Sequence, residues 1–265
     1  TENVVVMGDF KIQPTASLPL SGLDAITGKM SGIFGHPKVQ LKSVATPQQE
    51  LPKLLTTTGS ITLKNYTDSK AGKKGEFHHS LGATVVEIEG DEFHMRQINA
   101  AEDGSFIDLD HEYTPRGVRP APRPKALILG DIHAEFMDKG CEKAIFGRRG
   151  MVDTLRPEKV VLHDLYDGYS GSHHHKGEVF INYAKHHSGM NNVEGEIDRT
   201  LERLKSWIKP DMDFYVVGSN HNEHLLTWLK NGEPKNDHEN ALFYHRLMVM
   251  VLEKVYMGFN AAIVP

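Results

Sequence analysis

Cysteine is almost absent. The 265 residues contain one, Cys141, so no disulfide can close within the chain and a reducing compartment is expected. Nothing near Cys141 in the sequence would depress its pKa, which predicts a small packing residue and not a nucleophile. Long apolar runs are missing too. None approaches the ~20 residues that span a bilayer. The opening Thr-Glu-Asn-Val-Val-Val-Met has neither the basic start nor the apolar stretch of a secretory leader. Membrane partners are therefore not expected, and the expected location is cytoplasmic. An excess of positive charge is also lacking. The formal net charge is −5, so attraction of the whole surface for nucleic acid is not expected, although local basic patches are not excluded. The sequence opens on Thr1 and stops at Ile263-Val264-Pro265, soon after a helical pattern and where another strand would be expected. That reads as C-terminal truncation.

Histidine, in contrast, is plentiful. There are 16, several beside aspartates, and histidine is the commonest metal ligand. Residues 1–114 read as a β-rich accessory region. Val4-Val5-Val6-Met7 predicts a short buried strand. Residues 11–60 are rich in Pro, Gly, Ser and Thr and show few helical patterns. Ala83–Ile88 and Phe93–Ile98 alternate around a Gly90-Asp91 turn, which predicts a hairpin. Phe106–Leu109 would add a strand. Residues 115–125 form a Pro/Arg linker, in which Pro115, Pro120, Pro122 and Pro124 oppose helix and central strand alike. Lys70–Lys74 is basic and broken by Gly72. It predicts a flexible loop and lacks the spacing of a phosphate-cradling loop.

From residue 126 to residue 265 the pattern alternates strand, loop and helix, which argues for an α/β layered domain. Ala126–Leu129, Val160–Leu162 and Phe214–Val217 predict strands. Ile197, Leu201, Leu204 and Ile208 predict one apolar helical face, and Leu242, Phe243, Leu247, Met250 and Val251 another. His245 falls in the second pattern and reads as packed or partly exposed.

Each of the three strands runs into a polar cluster. They are Gly130-Asp131-Ile132-His133, His163-Asp164-Leu165-Tyr166-Asp167 and Gly218-Ser219-Asn220-His221-Asn222-Glu223. Ligands of open α/β sheets sit beyond the carboxyl ends of strands, so the clusters should share one rim. Mixed carboxylate and imidazole suits manganese, iron or zinc. Two ions ~3.5–4 Å apart would clamp both oxygens of an in-line phosphoryl displacement and activate a water.

The ordered motifs Asp-x-His, Asp-x-x-Asp and Asn-His, each after an apolar strand, resemble those of calcineurin-like metallophosphoesterases over residues 125–225. The resemblance implies a layered sheet flanked by helices and two divalent ions, with manganese favoured over magnesium. It implies that Asp131 and His133 hold one ion, Asp164 bridges both and Asn220 binds the second. His221 would be the catalytic histidine and Asp167 a supporting acid. Three departures stand against it. His163 precedes the bridging acid where the family usually has Gly. Asn222 separates His221 from Glu223. A downstream Gly-His-x-His is missing, which either truncation or substitution by other histidines would explain.

Residues 168–194 exceed the minimal spacing and carry His173–His175 and Lys185-His186-His187. The preferred reading of both His tracts is a solvated loop, with contact to metal or phosphate as the alternative. Residues 35–42 and 72–79 resemble the accessory domain of DNA-degrading phage metallophosphoesterases. That resemblance moves the expected substrate to DNA, held by local cations: Arg116, Arg119, Arg123, Lys125, Arg148, Arg149, Lys176 and Lys185. The alternatives are a protein or nucleotide phosphatase, and a non-catalytic assembly module with an incomplete metal site. The sequence is compatible with a homo-oligomer.

Overall fold

The computed structural model describes residues 3–50 and 52–253. The Ile263–Pro265 end, where the sequence suggests truncation, lies outside the described residues. The fold is mixed α/β with several sheets, and the chain divides into two units, residues 1–122 and 123–265.

In the first unit β1 (Val4–Met7), β2 (Ser31–Phe34), β3 (Leu41–Val44) and β4 (Lys53–Thr57) form a sheet in the order β1-β2-β4-β3. β1, β2 and β4 run parallel, and β3 joins antiparallel. Leu20, Leu23, Phe34 and Leu55 make the core of this sheet. β1 is an edge strand, so Val6 is exposed and the expected burial of the whole run is not met. Helix α1 (Lys70–His78) occupies the stretch that predicts a flexible loop. The reason is tight packing. Ser69 caps the helix by accepting from the Gly72 amide, and a Cβ at Gly72 would meet the Thr67 carbonyl oxygen at 1.9 Å. Gly75 sits likewise against the Tyr66 ring. The glycines permit close approach; they do not mark flexibility.

β5 (Gly82–Glu89) and β6 (Glu92–Asn99) form the hairpin that the alternation predicts, from Gly82↔Asn99 to Glu89↔Glu92. Its turn uses Gly90 at φ +59°. β7 (Phe106–Asp108), β8 (His111–Thr114) and β9 (Gly117–Pro120) make a separate antiparallel sheet. Part of the Pro/Arg linker is thus strand. β9 lies at the edge, where a residue without an N–H such as Pro120 is tolerated.

The second unit contains β10 (Leu127–Asp131), α2 (Lys139–Phe146), α3 (Met151–Leu155), β11 (Lys159–His163), a 3-10 turn (His173–His175), α4 (Val179–Ser188), α5 (Val193–Trp207), β12 (Asp213–Val216), α6 (His224–Asn231) and α7 (Ala241–Leu252). β11 is central, and all three strands run parallel. Leu129, Val160 and Leu162 point into a core with Phe146, Val152, Trp207 and Met212. Phe146 and Trp207 stack at 4.2 Å. A buried side chain of this size contributes about 1.5–3 kcal/mol. On the other side of the sheet Ile128 is 74% and Tyr215 46% exposed, so β10 is buried on one face only. A second core of Tyr166, Val193, Ile197, Leu225, Trp228, Leu229 and Leu247 fastens α5, α6 and α7.

Three expectations need correction. Ile208 caps α5 and is 48% exposed, because the helix ends at Trp207. Leu242 is 71% exposed, since α7 turns Phe243, Leu247 and Val251 inward. Cys141 is exposed. It lies in the first turn of α2, whose buried residue is Phe146 at the other end.

Candidate metal centre

Parallel neighbours bring their carboxyl ends to one rim, and the three polar clusters meet there. The segment after β10 continues alongside the one after β11: Ile132, His133 and Ala134 donate to the carbonyls of His163, Asp164 and Leu165 at 3.1, 2.9 and 3.1 Å. Ile132 and Ala134 are buried in the core, while the polar residues Asp131 and His133 alternate with them. His133 and Asp164 have φ of 46° and 47°. Residues other than glycine rarely adopt this left-handed conformation. It costs about 1–3 kcal/mol and concentrates at functional sites.

Two triads of ligand-type atoms result, each with its atoms within 4.8 Å of one another: Asp131, His163 and Asp164, and His133, Asp167 and His221. His163 Nδ1 lies 3.3 Å from Asp131 Oδ1 and 3.0 Å from Asp164 Oδ2. His133 Nδ1 lies 2.8 Å from Asp167 Oδ1, and the His133 and His221 rings are 4.5 Å apart. The resemblance implies that Asp131 and His133 share an ion; in the structure they fall in different triads. Asp131 pairs in register with His163 on β11, whereas His133 lies beyond it in the left-handed turn and reaches Asp167.

Asp164 is 4% exposed, and its Oδ1 is buried without a hydrogen-bond partner among the described residues. Burial raises its carboxyl. The hydrogen bond with Ser219 and the imidazoles of His163, His221 and His133 outweigh that, so the group stays below its usual range. Asp164 therefore interacts with imidazoles of both triads. An unpartnered buried carboxylate oxygen is costly unless something positive meets it, and the donor set of carboxylates and imidazoles suits a borderline divalent metal. The residues present fit metal binding. Asp167 is 9% exposed; burial raises its pKa, and the His133 hydrogen bond opposes that.

Asn220 is exposed in the third loop, and no hydrogen bond joins its side chain to either triad among the described residues. The buried asparagine is Asn222, at 1%. Its Nδ2 donates to the Val217 carbonyl at 2.9 Å, and its Oδ1 accepts from the Tyr166 amide at 3.3 Å. The residue that looked like a departure from the motif ties the third loop to the second.

Further histidines extend from the centre. His221 packs on His224 at 4.7 Å, and His224 lies 5.8 Å from His173 and 6.2 Å from His174. The tract His173–His175 is thus a 3-10 turn in ring contact with the site, and His173 and His174 remain exposed, as the solvated-loop reading expects. Gly168 makes this approach feasible: at φ +68°, its Cβ would meet His224 Cβ at 2.5 Å. The loop is held from beneath by Glu196 on α5, 1% exposed. Its carboxylate accepts from the amides of Tyr169 and Ser170 at 3.0 and 2.8 Å and from the Ser170 hydroxyl. Replacing Glu196 with Ala leaves these donors without their partner, and denaturant unfolding should show a loss of about 3 kcal/mol. Glu196→Gln, which keeps the acceptor oxygen, should lose less.

The cations expected to hold DNA fare unevenly. Lys185 is 3% exposed, and its ammonium donates to the Tyr169 carbonyl at 2.5 Å. It braces the same loop and is not a surface contact. Arg123 is committed to the carbonyls of Arg156, Pro157 and Asp211. Arg119, Lys125 and Lys176 pair with Glu112, Glu158 and Glu233. Arg116, Arg148 and Arg149 are exposed.

The chain is similar to a phage protein. It is 35% identical over 252 residues to "Protein A1" of Escherichia phage T5, a match covering 91% of this chain. The chain spans 45% of that protein's length. No protein-family model matches the chain, and no solved structure does. Among the described residues, no helix is long and apolar enough to cross a membrane.

Two site residues escape a motif-based reading. His163 is conspicuous only as a mismatch before the acid, yet it belongs to the first triad. His224 follows Glu223 with no motif of its own, and only the start of α6 beside the third loop brings it in.

Proposed function

We propose that this chain carries the metal centre of a metallophosphoesterase that hydrolyses phosphodiester bonds in DNA. One observation carries the reading: the buried, unpartnered Oδ1 of Asp164, flanked by two triads of carboxylates and imidazoles at the carboxyl rim of a parallel sheet. Asp131, His163 and Asp164 would hold one divalent ion, and His133 and Asp167 a second, with Asp164 as the shared acid and Asn220 as an added ligand. Manganese is favoured and magnesium is the alternative; bound there, such ions supply Lewis acidity toward the phosphate and an activated water. The layered sheet-and-helix arrangement implied by the family resemblance belongs to the same proposal.

The chain's own residues do the rest. Asp167 fixes the His133 ring through Nδ1. His221 has its Nδ1 3.3 Å from the Asp167 carbonyl, which orients the ring. In its imidazolium form it holds an Nε2–H for the leaving oxygen. Glu196 and Lys185 keep the His173–His175 turn against the centre. Similarity to a phage protein supports DNA over phosphoprotein as the substrate and is compatible with action in the host cytoplasm. Arg148 and Arg149 are exposed, but their loop precedes β11 and lies near the start of β12, at the opposite end of the strands from the polar clusters, so they do not line the proposed site.

The test is a side-by-side assay of duplex DNA, single-stranded DNA, a phosphopeptide and a small chromogenic diester, with manganese and with chelator. DNA and the diester should be cut only with manganese. Phosphopeptide turnover with intact DNA would replace the nuclease with a phosphatase. Failure to cut any substrate would leave a non-catalytic assembly module.

A further inference from the structure

Beside the metal centre lies a cavity of about 500 Å³, formed within the second unit by the His173–His175 loop, α6 and the segment leading to α7. Its size falls in the usual range for small-molecule pockets, about 300–1,000 Å³. Its charged groups are already matched. Lys176 pairs with Glu233, Asp237 accepts from the Asn240 amide, and Lys185 is bonded to the Tyr169 carbonyl. Among the described residues, both lysines on the wall already have partners, so the wall suits an uncharged polar ligand better than a phosphate.

One buried polar group on that wall lacks the partner such groups normally find: His175 Nδ1. Burial lowers the pKa of this ring, which favours its neutral, accepting form. Trp228, 9% exposed, adds its ring and an indole N–H to the wall. The side chains of Thr227, Asn191 and Asn231, all on the wall, add unspent hydroxyl and amide groups. Together they offer donors and acceptors around a slot walled by an aromatic ring, the chemistry that reads the edge of a heterocyclic base.

The position is equally specific. His173 lines the cavity and contacts His224, which contacts His221. A group in the cavity is therefore two ring contacts from the proposed catalytic histidine.

We infer that this cavity receives one unpaired nucleobase of the strand being cut, so the enzyme acts on single-stranded or locally opened nucleic acid. The inference rests on the phosphoesterase reading for its purpose but not for its test. A base still paired and stacked in a duplex could not enter a pocket bounded by α6 and the loop; it would have to leave the stack first.

The test uses the whole chain with chelator present, so that binding is read without chemistry. The four deoxynucleosides are titrated separately while tryptophan fluorescence is followed, with deoxyribose 5-phosphate as a ligand lacking the base. Of the two tryptophans, Trp207 lies in the other core, so a base in the cavity reports through Trp228. At least one nucleoside should give saturable quenching, and the sugar phosphate none. Thr227→Val with Asn231→Ala, which alters a half-buried and an exposed position, should weaken that binding about tenfold or more. A circular dichroism melt shows whether the variant is folded, and Asn231→Ala alone, at the exposed position, provides the same comparison if the pair is not. Absence of quenching by all four nucleosides at millimolar concentration, equal quenching by the sugar phosphate, or unweakened binding by the folded variant would overturn the inference. Manganese-dependent cleavage of the chromogenic diester by the unsubstituted chain separates the two failures. Cleavage without nucleoside binding removes the pocket and keeps the phosphoesterase. Nucleoside binding without cleavage does the reverse.

Discussion

Asp164→Asn is expected to reduce manganese-dependent hydrolysis of the chromogenic diester by about 10³-fold or more, a loss of about 4 kcal/mol of transition-state stabilisation. The substitution keeps the shape of the side chain and removes its charge. In the native protein that charge is secured: the carboxyl is held below its usual range by Ser219 and three imidazoles despite being buried. It therefore remains anionic through the neutral range, where a metal would need it. Because Asp164 interacts with imidazoles of both triads, the variant should weaken both ions together. Metal content after dialysis, measured by atomic emission, checks this. Loss of one ion with the other retained would show that Asp164 does not bridge.

The second large effect is expected at His221. His221→Ala should lower turnover of DNA by about 10²–10⁴-fold, the usual range for acid–base assistance, while leaving most of the bound metal in place. The geometry makes this a demanding test. His221 lies within ligand distance of His133 and Asp167, so it could serve as a ligand as easily as a proton donor. Turnover and metal content must therefore be measured on the same preparation. Metal-free protein would move His221 from catalyst to ligand. Loss of turnover with metal retained supports the proton-transfer role, because the Asp167 carbonyl then orients the ring and not an ion.

Much of the architecture was legible because local pattern and tertiary setting agree. The hairpin Gly82–Asn99 follows from alternation around Gly90, and the three parallel strands follow from apolar runs that each end in a polar cluster. The rim itself was legible for the same reason. Elsewhere the deciding contacts are remote in sequence. Gly72 and Gly75 looked like breaks, but they let α1 pack against Thr67 and Tyr66. His173 and His174 are exposed, as a solvated tract would be, but Glu196 and Lys185 hold their turn beside His224. Lys185 itself reads as a surface cation until α4 buries it. The pairing of Asp131 with His163 depends on register across two strands, which spacing along one strand cannot show. Asn222 illustrates the opposite case: a mismatch to a motif became a buried bracket between two loops.

The most direct measurement is anomalous diffraction from crystals of the protein equilibrated with manganese. Two anomalous peaks are predicted, both in contact with the Asp164 carboxylate, one also contacted by Asp131 or His163 and the other by His133 or Asp167. No peak at Asp164, or manganese bound only elsewhere on the chain, would contradict the metal centre and the hydrolytic function built on it.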